Sequence, residues 1–210
     1  MDRQEPRTLL IDDGGVLSLL AGYLQPEQTV AHVWLSWSHG ASLAHRHNAS
    51  KRHATLLGAT WSQNDFPYPM VSPASESSHG LELSRMLMSA GSVASERGCD
   101  RVIWATCHGE DVEGMSRDVD RARLIEHVWN LDMTGDEPSL LLELPLVDLT
   151  LPQLADLAID LEVPLDACWD CLGDNDQTCG ACPGCLEVED VYARRGAVAS
   201  GSGALATRAP

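Results

Sequence analysis

Nowhere in the 210 residues do eighteen apolar residues run together, and the opening MDRQEPRTLLIDDGG has no basic region followed by a long apolar one. The first absence argues against a membrane-spanning helix and the second against a secretory leader, so a soluble, unsecreted protein is expected. Basic residues are scarce: 14 Lys and Arg face 31 Asp and Glu, a formal charge of −17. Such a field repels phosphate backbones and anionic lipid alike, which excludes general nucleic-acid binding and membrane association. An even set of cysteines is also missing, since there are seven, four of them crowded between Cys171 and Cys185. That pattern suits thiolate metal ligation in a reducing compartment better than a disulfide framework, and a cytoplasmic location follows.

What remains is ordinary for a globular domain, with 44% hydrophobic residues. Apolar runs alternate with helical patterns along most of the chain. Thr8 to Ile11 reads as a strand, Asp12-Asp13-Gly14-Gly15 as a tight turn, and Val16 to Leu24 as a helix. A second strand, Val30 to Trp37, precedes a His-rich helix from Ala41 to Leu57 closed by Gly58, and Thr60 and Trp61 open a third strand. Ser62 to Ser78 reads as a loop, Leu81 to Arg97 as a helix, Arg101 to Thr106 as a strand, Cys107 to Gly114 as a loop and Ser116 to Leu131 as a helix. Leu140 to Leu146 supplies a last strand, and Thr150 caps a helix from Pro152 to Leu161. Such alternation predicts an α/β, Rossmann-like, mainly parallel sheet with helices on both faces. We divide the chain into a sheet domain over 1–165, a zinc-binding segment over 166–195, and a tail over 196–210 too small and polar to order itself.

The cysteine-rich stretch CLGDNDQTCGACPGC places Cys171, Cys179, Cys182 and Cys185 where glycines and a proline let the chain fold around one ion. Four thiolates satisfy the tetrahedral preference of Zn²⁺ and leave no position for water, so a structural zinc knuckle is expected. Cys168 forms another C-x2-C step with Cys171, and spacing alone does not say which of the two reaches the metal.

The segment from Leu142 to Cys185 resembles the C-terminal region of 7-cyano-7-deazaguanine synthases: a strand, a helix, Val163-Pro164-Leu165, Trp169-x-Cys171 and three more cysteines follow in the family's order. The resemblance extends weakly over the rest, through the Gly14-Gly15 turn, the His-rich helix ending in Leu57-Gly58-Ala59, and RVIWAT before Asp111 and Gly114. It implies an ATP-pyrophosphatase-type fold that uses ATP and ammonia to convert 7-carboxy-7-deazaguanine to 7-cyano-7-deazaguanine on the way to queuosine. It further implies a homodimer, a 7-deazaguanine-like small-molecule ligand, and zinc on Cys171, Cys179, Cys182 and Cys185.

The nucleotide loop departs from that pattern. Where the family has Ser-Gly-Gly-x-Asp-Ser, this chain has Asp13-Gly14-Gly15-Val16-Leu17-Ser18. Gly14, Gly15 and Ser18 match and are the candidate ATP-binding residues, by backbone N–H groups and a hydroxyl at a helix start. Asp13 instead puts a carboxylate where a phosphate-binding hydroxyl belongs, and Asp12 and Asp13 together place negative charge at the positive end of the helix dipole. The family's lysine after its last-helix Asp-x-Thr is Leu151 here, its Gly-Arg-Asn is Gly80-Leu81-Glu82, and its Tyr-Pro-Asp is Met115-Ser116-Arg117. The expectation is a synthase-like zinc protein with weakened ATP binding and lost or altered catalysis, set against an active ligase of the same family and a zinc-containing module that docks a protein partner.

Other candidates take plainer readings. His39, His45, His47 and His53 are expected on a solvated helix face. Cys107 and His108, adjacent on an extended chain, point apart; Arg117, Arg121 and Arg123 alternate with Asp118 and Asp120 as an exposed, salt-bridged helix; and the six tryptophans fill the core.

Overall fold

The computed structural model describes residues 7–26, 29–36, 42–63, 76–131, 139–173 and 177–194, apart from the side chains of 76–79. His39, the middle of the Ser62 to Ser78 segment and the tail over 196–210 lie outside the described residues.

Strands β1 (Thr8–Asp12), β2 (Val30–Leu35), β3 (Thr60–Gln63), β4 (Arg101–Trp104) and β5 (Leu141–Glu143) form one sheet in the order β3-β2-β1-β4-β5. Every pairing is parallel, with β1 central and flanked by β2 and β4. Parallel strands need covered crossovers, so helices α1 (Val16–Tyr23), α2 (Leu43–Leu56), α3 (Glu76–Glu96), α4 (Val112–Trp129) and α5 (Leu151–Asp160) alternate with them. The two-residue period of the strands then sorts the core onto two faces. Leu10, Val33 and Ile103 meet Leu19, Leu20, Ala54 and Leu154 from α1, α2 and α5, while Leu9, Ile11, Trp34, Val102 and Trp104 meet Leu87, Ala90 and Ile125 from α3 and α4. Each fully buried Leu, Ile or Val among them contributes about 1.5–3 kcal/mol. Among the described residues no helix is long and apolar enough to cross a membrane.

The expected α/β class, with helices on both faces of a parallel sheet, is what the chain adopts, and the differences are at element ends. Helix α3 begins at Glu76, inside the stretch read as loop. Helix α4 begins at Val112 rather than Ser116, because the Asp111 side chain caps it by accepting from the Gly114 N–H at 3.0 Å. A Cβ on Gly114 would come within 2.6 Å of His108 Nδ1 and closer still to Asp111, which gives this glycine a packing role in the turn after β4. The α5 start has its reciprocal contact, Gln153 Oε1 accepting from the Thr150 N–H at 2.8 Å.

Two expected outcomes follow from this packing. A Cβ on Gly91 of α3 would fall 2.2 Å from the Trp129 indole of α4, so Gly91→Ala should cost about 1–3 kcal/mol of stability, read as a lower urea midpoint. Buried His32 sits between the Thr60 and Ser62 hydroxyls at 2.6 and 2.7 Å, and desolvation, with Arg97 adding to it, holds its pKa down at about 4. Its neutral form is the folded one, so the unfolded chain takes up the proton first. Stability should therefore fall as pH drops from about 6.5 towards 4, and His32→Gln should flatten that slope.

Candidate functional site

Strand order reverses between β1 and β4, and in open α/β sheets ligands bind at the carboxyl ends of the strands at such a switch point. The glycine loop between β1 and α1 lies there. Gly14 takes φ of +83°, and a Cβ on it would come within 2.8 Å of the Arg46 carbonyl of α2, so the turn is both left-handed and tightly backed.

The donors this loop offers are already in use. The Gly14 N–H donates to Asp12 Oδ1 at 2.8 Å, the Gly15 N–H to Asp13 Oδ1 at 2.9 Å, and the Ser18 hydroxyl to the same Asp13 oxygen at 2.8 Å. The Val16 N–H, at the start of α1, donates to Asp170 Oδ1 at 3.0 Å. Arg46 is 4% exposed at its side chain and clamps the turn from α2, with Nη1 on the Asp13 carbonyl at 2.7 Å and on Asp13 Oδ2 at 3.0 Å, and Nη2 on the Asp170 carbonyl at 3.2 Å. Desolvation acts to raise the Asp13 pKa, but the Arg46 charge with the Gly15 and Ser18 bonds outweighs it and the net shift is downward. For Asp170, burial and then the Asp13 charge push the carboxyl up to about 6.

The carboxylates at the loop are therefore not quite the pair read from the sequence. Asp12 turns inward, fully buried, with both oxygens 3.2 Å from Nδ1 of an equally buried His53. The charge at the first turn of α1 comes from Asp170, 154 residues away. Neither Asp170 nor Arg46 carries a local sequence signal: one is the unassigned middle residue of Trp169-x-Cys171, the other looks like a solvated charge on a His-rich helix. Arg46, Asp13 and Asp170, with Glu187, line a cleft of about 190 Å³ at the switch point.

A larger cleft of about 850 Å³ lies between α2 and the C-terminal segment. His45 stacks on Trp169 there, with ring centroids 4.1 Å apart. His47 instead meets Trp61 edge-on and His53 is buried, so the histidines of α2 do not converge on one ion, and the solvated face expected for them fails at His53. Cys107 and His108 do not pair: His108 Nε2 lies 2.8 Å from Asp118, which also pairs with Arg121. Asp118 is 7% exposed, so this part of α4 is less open than its alternating charges imply.

The cysteine stretch folds back on itself beyond a short 3₁₀ turn at Leu165–Ala167. Gly180, at φ +66°, turns the chain, and Cys182 starts α6 (Pro183–Glu187), which carries Cys185. The sulfurs of Cys171, Cys179, Cys182 and Cys185 lie within 4.8 Å of one another, and Cys168 stands outside the group. Among the described residues this is the one cluster of ligand atoms able to hold a metal ion. Four thiolates about 2.3 Å from a tetrahedral ion are about 3.8 Å apart, and three of the six pairs come close to that, at 3.6 Å for Cys171 to Cys179, 3.9 Å for Cys182 to Cys171 and 4.0 Å for Cys179 to Cys185. Backbone N–H groups point at the same sulfurs: Gly173 and Cys179 at Cys171, Cys182 at Cys179, and Leu172 at Cys182, all at 3.3 to 3.5 Å. Such donors stabilise thiolates. The Leu172 and Cys185 N–H groups draw the Cys182 thiol down to about 6, while desolvation and then its thiol neighbours push Cys185 up to about 12.

Cys179→Ser should lower both the metal content by mass spectrometry and the thermal midpoint, whereas Cys168→Ser should leave metal content unchanged. Metal loss in the Cys168 variant would instead put that thiol in the coordination shell.

A 7-cyano-7-deazaguanine synthase of Sulfurovum sp. is 40% identical over 52 residues, 25% of this chain and 23% of that protein. One from Campylobacter jejuni subsp. doylei is 28% identical over 97 residues, 46% of this chain and 43% of that protein, so the chain spans less than half the length of these curated relatives. The solved U34-tRNA thiolase NcsA of Methanococcus maripaludis, with its 4Fe-4S cluster, aligns over 95% of this chain and 68% of its own at 13% identity and a TM-score of 0.49. The family model described as "Queuosine biosynthesis protein QueC" matches residues 84–196, more than half of the 210, and the chain belongs to that family.

Proposed function

We propose that this chain is a zinc-bearing 7-cyano-7-deazaguanine synthase-like protein in which the family's ATP-dependent chemistry is lost or altered. The observation that carries the reading is the self-satisfied glycine loop: the N–H groups of Gly14, Gly15 and Val16, the Ser18 hydroxyl and the Arg46 guanidinium all end on Asp12, Asp13 or Asp170. A triphosphate would have to displace charge-assisted hydrogen bonds worth about 1.5–3 kcal/mol each and then sit beside carboxylates. The cleft of about 190 Å³ at the switch point is smaller than the roughly 300–1,000 Å³ of ordinary ligand sites. Leu151, where the family has a lysine, offers no cation in exchange.

Zinc is favoured by four sulfurs that all lie within 4.8 Å of one another, three of the six pairs at 3.6 to 4.0 Å. They suit one tetrahedral ion better than a four-iron cube, whose thiolates sit on separate irons. A closed four-thiolate shell would supply stability rather than hydrolysis, holding the C-terminal segment against the sheet. The ligand class we assign is a 7-deazaguanine-type heterocycle, after the activity for which the relatives are named; the cleft of about 850 Å³ beside Trp169 has the size such a molecule needs.

Calorimetry with Mg-ATP on the zinc-loaded chain should give no binding heat at millimolar ATP, and ATP should not be consumed with 7-carboxy-7-deazaguanine and ammonium present. Tight binding or turnover would restore the ligase. One zinc per chain is expected by mass spectrometry; iron with acid-labile sulfide would overturn the metal assignment.

A further inference from the structure

Asp170 joins two parts of the molecule that the sequence keeps far apart. Its Oδ1 accepts from the Val16 N–H at 3.0 Å, its Oδ2 from the Tyr192 hydroxyl at 3.0 Å, and its carbonyl from Arg46 Nη2 at 3.2 Å. The preceding Trp169 N–H donates to the Gly14 carbonyl at 2.7 Å, so this stretch is pinned to the glycine loop on two sides. From behind, Gly184 of α6 packs so close that a Cβ there would stand 2.2 Å from the Asp170 carbonyl. A Cβ on Gly15 would in turn stand 2.6 Å from Asp170 Oδ1. Helix α1 has no acidic residue of its own in its first turn, and its N-cap residue, Gly15, makes no side-chain cap. The anion that a helix start favours is thus delivered from the segment that carries Cys171.

We propose that Asp170 is a built-in occupant of the anion position at the start of α1, an autoinhibitory contact: a phosphate group from solution gains the Val16 N–H only if Asp170 withdraws. The inference rests on the reading of this loop as a former nucleotide site. Its consequence is that Asp13 is not the whole obstacle. A hydroxyl at residue 13 removes the carboxylate that the Gly15 N–H, the Ser18 hydroxyl and Arg46 Nη1 meet, yet leaves Val16 covered by a carboxylate held through Tyr192, Arg46 and Trp169.

The test is calorimetric titration of inorganic pyrophosphate into the metal-loaded full chain, comparing wild type, Asp13→Ser, the double variant Asp13→Ser with Asp170→Ala, and the charge-matched control Asp13→Ser with Asp166→Ala. Metal content and thermal midpoint are measured on each. The double variant should bind at least about tenfold more tightly than Asp13→Ser, the factor that about 1.4 kcal/mol confers, and the Asp166 control should show no such gain. If Asp13→Ser alone binds as tightly as the double variant, if the Asp166 control gains as much, or if the double variant keeps its metal and fold but shows no gain, the proposal is overturned. Should the alanine substitution cost the chain its metal, Asp170→Asn, which keeps the shape and removes the charge, decides the same comparison. Binding of Mg-ATP by the wild type would remove the proposed loss of nucleotide use, yet would leave this comparison intact, because it reads a ratio between variants.

Discussion

The N-terminus of α1 needs negative charge, and much of what is particular to this molecule follows from how that need is met. Three backbone N–H groups and a hydroxyl converge there because β1 ends in a left-handed glycine turn and the helix begins at once. In a nucleotide-binding relative such donors would wait for phosphate. Here Asp12, Asp13 and Asp170 take them, and Arg46 neutralises part of the resulting charge from a position sealed off from water. The donors of the loop are held in a set of internal hydrogen bonds, which stabilise the fold and compete with any external anion.

This arrangement also explains why the cysteine segment sits where it does. The residue before Cys171 reaches across to the loop, and Gly184 of α6 presses on that same residue. A metal held by Cys171, Cys179, Cys182 and Cys185 would therefore also order the carboxylate at α1, because both belong to one strip of chain. Retained family features fit the same picture: Asp111 caps α4 and Gly114 admits that cap, so both serve the backbone whether or not a substrate binds.

Much of this could be read in advance where the signal is local. Hydrophobic period and turn residues located β1, α1, β2, α2, β4 and α5 within a few residues, since each buries a face that its own spacing defines. The early start of α4 is not legible in the sequence because its cap, Asp111, sits in a polar stretch that reads equally as loop, and that of α3 because a polar first turn has no apolar stripe. The four cysteines were legible because metal ligation imposes short spacings along the chain, and Asp13 because it stands inside a loop whose chemistry is known from its glycines.

By itself, then, the sequence determined the fold class and the four sulfurs, which rest on periodicity and on spacings between near neighbours, and the family, which rests on the order of its motifs from Leu142 to Cys185. Only the tertiary structure decided that Cys168 stands outside the sulfur cluster, that Asp12 faces His53 in the core, and that Asp170 and Arg46 complete the glycine loop. The reason is physical: a hydrogen bond between residues 154 positions apart leaves no spacing to recognise, and it exists only once the sheet, α2 and the metal segment have been brought together.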